Sequence, residues 1–247
     1  MSVGSQREEQ DRSLLWLLSG AGERFVAVIH AFLDESGTNP ETPVLTVAGF
    51  YGCQGQWETF KNLWRPLLQG RDFHALHSAT LYSGLCFAIR QSAIDGLFCT
   101  IGKETYRQHA NEHLKTFAGN TYAVCVFLCA LGICTEVNNE PVSFVLERGQ
   151  PNIAFVKRIM EDMMDAGEFC IASVATARKE EFIELHPADF VSHLASSHDK
   201  PWLEHLMEAG RLKHGHITEQ MIREASPEVT ALVGRARHER NKAKRTR

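Results

Sequence analysis

The sequence predicts an α/β fold in which a mixed β-sheet is covered by helices. Three observations carry this: apolar, β-prone runs, a breaker-rich loop between the first two of them, and helix–strand alternation through the second half. Two extended runs joined by a short polar loop read as an antiparallel hairpin, and the alternation reads as parallel βαβ pairing. At 247 residues and 44% hydrophobic, the chain is long enough for one large core.

Residues 1–23 read as a polar lead-in with one helical turn around Leu14–Leu18. The run Phe25–Leu33 (FVAVIHAFL) is rich in β-formers and reads as a buried strand ending at Asp34. Gly37, Asn39, Pro40 and Pro43 break the chain before a second strand, Val44–Tyr51. Gln54–Leu68 reads as an amphipathic helix, because Trp57, Phe60, Leu63, Trp64 and Leu67 recur at three- and four-residue spacing. The interval 70–90 resists assignment apart from a helix towards its end, and Leu97–Gly102 is the third strand. Thr121–Val137 is apolar nearly all round, as a buried helix is. A strand at Val142–Glu147, a helix at Asn152–Met164, a strand at Phe169–Ala177 and a helix at Pro187–Ser197 follow, with Pro187 suited to a first turn. This reading gives a five-stranded domain over 24–200, a C-terminal helical extension over 201–234 and a basic tail.

Charge is unevenly spread. Arg235–Arg247 (RARHERNKAKRTR) has five Arg and two Lys against one Glu, so it is +6 and leaves −10 for the rest of a −4 chain. Such a block reads as a disordered, solvated arm. Arg235, Arg237, Arg240, Lys242, Lys244, Arg245 and Arg247 are its candidate phosphate contacts. The seven cysteines are scattered without a CxxC pair, which indicates neither a disulfide framework nor a zinc knuckle and fits a reducing cytoplasm. The N-terminus lacks the basic region of a secretory signal, and Tyr122–Cys134 falls short of the roughly 20 residues a membrane span needs. The expectation is a soluble, cytoplasmic protein with no membrane partner.

The predicted elements carry acids at their ends. Asp34 closes the first strand, Glu147 closes the fourth (FVLERG), and Asp189 lies in the first turns of the helix LHPADF. Two carboxylates about 4 Å apart repel by roughly 4 kcal/mol at an effective dielectric near 20, so a cluster needs protons or a cation. Oxygen-only ligands suit magnesium or manganese. Ordinary N-caps and surface acids produce the same spacing, so spacing alone leaves both readings open. Strand alternation points Glu35 away from Asp34 unless the backbone turns there, and Ser36 and Gly37 read as turn residues. His186 and His193 share a helix face with Asp189 if the helix starts early enough, either as proton relays or as plain hydrogen-bonded residues. Cys125, Cys129, Trp57 and Trp64 read as core.

FLDESG after a hydrophobic strand, VAGFY in the next, a Trp-containing helix, FHA, the acid of FVLERG and LHPADFVSHLA together resemble the domain of unknown function 3800 family. The resemblance spans roughly Phe25–Ser197 and implies a ribonuclease H-like domain. It also implies Asp34, Glu147 and Asp189 as metal ligands, with Glu35 and His74 beside them in the catalytic set. His186 and Pro187 stand where that family usually has Gln and an apolar residue, and Glu147 stands where Asp is commoner. The implied activity is magnesium- or manganese-dependent hydrolysis of nucleic acid by the two-metal route, with DNA and RNA both open. The alternatives are a non-catalytic module of the same fold, binding nucleic acid or protein, and a hydrolase of small phosphates.

Overall fold

The structure is a computed structural model that describes residues 28–224, apart from 40, 111–113, 115–120, 150–151, 166, 168–169 and 198–199. The expected lead-in, the start of the first strand and the basic tail lie outside the described residues. The sheet is built from β1 (Ile29–Ser36), β2 (Val44–Gly52), β3 (Asp95–Gly102), β4 (Val142–Glu147), β5 (Ile171–Ala177) and β6 (Leu212–His216). The helices are α1 (Gln54–Leu68), α2 (Tyr82–Ser92), α3 (Lys103–His109), α4 (Thr121–Glu136), α5 (Ile153–Asp165), α6 (His186–Ser196) and α7 (Pro201–Glu208).

The strand order is β5-β4-β1-β2-β3-β6. β1, β2 and β3 form an antiparallel meander, β4 and β5 add to it parallel to β1, and β6 adds parallel to β3. A meander of three strands, extended beyond its first strand by two parallel ones, is the ribonuclease H-like arrangement. Among the described residues the sheet has six strands where five were expected, and β6 falls inside the expected helical extension, between α7 and helical residues 219–224. Its sequence, LKHGH, has no apolar run, so its strand state comes from pairing with β3 and not from local pattern.

Helices cover both faces. Ala31 and Leu33 of β1 pack with α4 and α5, and Phe32 packs with α1, α2 and α6, as strand alternation requires. Trp57, Phe60, Trp64 and Leu68 form the buried stripe of α1, and the Trp57 indole donates to the His30 carbonyl at 3.0 Å. α4 is buried nearly all round and lies close against the sheet. A Cβ at its Gly132 would stand 2.4 Å from Leu97 Cδ2, so a larger residue there requires the Leu97 side chain to shift. Cys125 and Cys129 donate to the carbonyls of Cys99 and Leu97, and are core residues as expected. Among the described residues, no helix is long and apolar enough to cross a membrane.

Candidate metal-binding acid site

The β1–β4 register builds the site. Phe32 pairs with Val145 and Leu33 with Leu146, so Asp34 and Glu147 come next on their strands, at the carboxyl ends of two parallel neighbours. Alternation puts both on the α6 face of the sheet. Ligands of open α/β sheets bind at such carboxyl ends. Asp34, Glu35 and Glu147 each offer an oxygen, and these oxygens all lie within 4.8 Å of one another.

β1 runs two residues beyond its expected end at Asp34, with Glu35 opposite Val47 and Ser36 opposite Thr46. Alternation therefore still holds at Glu35. Its side chain leaves towards α4, where the Tyr122 hydroxyl donates to it, yet its carboxylate converges with Asp34 and Glu147 at the strand end. The Glu35 amide donates to Asp34 Oδ1 at 2.7 Å, which holds that carboxylate against its own backbone.

Asp189 enters from α6. Its Oδ2 accepts the Ala75 amide at 2.8 Å, and its Oδ1 accepts from Lys179 at 3.1 Å. Lys179 Nζ also lies 3.6 Å from Asp34 Oδ2, so the ammonium joins the two aspartates. The structure thus brings all three predicted acids to one sheet end, with Glu35 in the tight group and Asp189 linked through Lys179.

One ammonium against four carboxylates leaves the cluster short of positive charge. Asp34 is 2% exposed, and burial followed by the charge of Asp189 raises its pKa well above the usual carboxylate range. Burial, then Asp34 and Glu147, raise that of Glu35 likewise. Glu147 is raised by burial, with Lys179 opposing. Burial alone would lower the pKa of Lys179, but Asp34 and Asp189 outweigh it and raise that pKa. Asp34 Oδ2 and Glu35 Oε1 are buried without a hydrogen-bond partner.

The histidines take other places. His186 Nδ1 accepts the Trp64 indole at 2.9 Å, and its Nε2 lies 3.1 Å from the Lys179 carbonyl. An indole only donates and a carbonyl only accepts, so the ring is the neutral Nε2–H tautomer with both nitrogens engaged. His186 is a strut between α1 and the Lys179 turn. His74 caps a short 3₁₀ turn, and its exposed ring lies 5.5 Å from that of His77. Its link to the acids is through the next residue, whose amide holds Asp189. His193 lies one turn beyond Asp189 on α6.

Sequence reasoning missed Lys179 and Tyr122. A lysine two residues past a strand parallel to the acid-bearing ones was the available signal. Tyr122 had none, since it reads as one more apolar-helix residue.

No family model matches the chain, and no curated protein matches it. Among solved structures, a chain of the PCNA:RNase HII complex from Archaeoglobus fulgidus is similar, at 15% identity and a TM-score of 0.46. The match covers 74% of this chain and 91% of that one. The fold assignment rests on strand order and direction, not on that likeness.

Proposed function

We propose that the protein is a divalent-metal-dependent hydrolase of nucleic-acid phosphodiesters, related to the domain of unknown function 3800 family. The observation that carries this is the convergence of Asp34, Glu35 and Glu147 oxygens within 4.8 Å at the carboxyl end of the parallel strands. The donor set fits a hard cation: it is all oxygen, and two of its buried atoms, Asp34 Oδ2 and Glu35 Oε1, accept no hydrogen bond. Asp34, Glu35 and Glu147 hold the metal, with Asp189 alongside. Magnesium or manganese, when bound, supplies an activated water and charge stabilisation for the leaving oxygen.

The chain's own groups hold the acids in place. The Ala75 amide and Lys179 orient Asp189, and Tyr122 takes up part of the Glu35 carboxylate while Oε1 stays free. The basic residues from Arg235 to Arg247 add backbone affinity that the −10 remainder of the chain lacks.

The test is cleavage of labelled single-stranded, duplex and hybrid oligonucleotides with manganese. Asp34→Asn lowers cleavage about 100-fold or more. The same change raises the stability of the metal-free protein by about 1 kcal/mol, because it removes one buried like charge. Full activity in a folded Asp34→Asn protein overturns the assignment.

A further inference from the structure

A second cleft opens on the α6 face, between α6, α7 and the strands β3 and β6. Its cavity is about 610 Å³, and its lining includes Phe98, Thr100, Lys200, Glu204, His214 and His216. The sheet register relates it to the acid site. Asp34 stands opposite Ala48, Ala48 opposite Phe98, and Phe98 opposite His214, a single row across four strands. Three interstrand spacings put His214 roughly 14 Å from Asp34.

The rings in this cleft are ordered. Phe98 and His214 stack with centroids 4.3 Å apart and planes 4° from parallel, and the His216 ring stands 6.0 Å from His214 at 64°. The Thr100 hydroxyl lies 2.9 Å from His214 Nε2 and 3.3 Å from His216 Nδ1, which fixes both rings and occupies those nitrogens. Burial, then His216, lower the pKa of His214, so the ring is neutral at neutral pH. Among the described residues, β6 is the last strand on its side of the sheet, so no strand covers His214 from beyond. His214 is exposed while Phe98 is buried beneath the stack. A neutral two-ring stack at the wall of a mostly apolar cleft matches a planar heteroaromatic group; Lys200 shares the lining with Glu204 and Glu219, so the rings and not charge carry the match.

We propose that this cleft is a nucleobase subsite, in which the Phe98–His214 stack receives one base of a strand that reaches the acid cluster. The occupant rests on the nucleic-acid reading above, but the test is separate from it. Full-length protein without divalent metal is titrated with adenosine 5′-monophosphate, and the histidine imidazole signals are followed by NMR. Saturable shifts appear at His214 and His216, while ribose 5-phosphate leaves His214 unmoved. His214→Ala weakens binding about tenfold, and His214→Phe, which keeps a stacking ring, retains it. Asp34→Asn leaves it unchanged.

Equal shifts from ribose 5-phosphate, undiminished binding in His214→Ala, or no response to the nucleotide each overturn the proposal. Nucleotide binding by a protein that cleaves no oligonucleotide leaves the subsite standing and removes the nuclease reading. Cleavage without nucleotide binding removes the subsite alone.

Discussion

His186 shows how a residue beside an acid site is kept out of its proton traffic. Trp64 and the Lys179 carbonyl engage both ring nitrogens, and burial lowers its pKa from 6.5 to about 4. A lowered pKa means that the unfolded chain takes up the proton first. The stability from this neutral ring is therefore complete above pH 6.5 and is lost as pH falls towards 4. The shift corresponds to about 3 kcal/mol. His30 carries a shift of the same size and direction, and the raised carboxylates shift the opposite way, so wild-type stability alone mixes these contributions. His186→Gln keeps an acceptor for Trp64 and a donor for the carbonyl but cannot titrate. Urea unfolding of both proteins at pH 7 and pH 4.5 isolates the ring: the wild type loses about 2 kcal/mol more than the variant. Parallel losses would show that the ring is not held neutral.

Much of the architecture was legible because it is written in periodicity. α1 matches its expected bounds and β4 does too, since a three-four apolar stripe and a short apolar run each declare their element locally. β6 was hidden for the opposite reason: five residues with little apolar content become a strand only once β3 lies beside them. The acid site divides the same way. Asp34, Glu147 and Asp189 were visible as acids at element ends, whereas Lys179 acquires its role only when the turn after β5 folds back over β1 and α6. The end of β1 was read two residues short, at Asp34, and the strand stops at Ser36 because the chain turns at Gly37. Its φ is +82°, and a Cβ there would stand 2.2 Å from the Val44 carbonyl oxygen, so the hairpin closes only over glycine. Gly37→Ala costs about 3 kcal/mol in urea unfolding and weakens manganese binding by displacing Asp34 and Glu35. A fully stable variant with native metal affinity would detach the turn from the site.

The molecule as a whole separates its charges along the chain. Four carboxylates gather at one sheet end around Lys179, the chain outside Arg235–Arg247 totals −10, and that segment returns +6. On the proposed function, a polyanionic substrate would meet repulsion from most of this chain, so its long-range attraction would have to come from the basic segment and its local attraction from a bound metal. These two sources respond differently to salt. Each backbone contact on a single strand contributes about 0.7 to the slope of log affinity against log salt, so seven basic residues account for a slope of up to roughly 5. Fluorescence-anisotropy titrations of a single-stranded oligonucleotide, run from low to physiological salt, compare the full chain with one ending at Gly234. The truncated protein binds more weakly at low salt and its slope is shallower by several units, and the two affinities approach each other as salt rises. Manganese binding is expected to be unchanged, because the proposed ligands Asp34, Glu35 and Glu147 lie outside the deleted segment. Equal slopes for the two proteins would assign the backbone contacts to the sheet domain, and the basic segment would then carry charge without contributing to recognition.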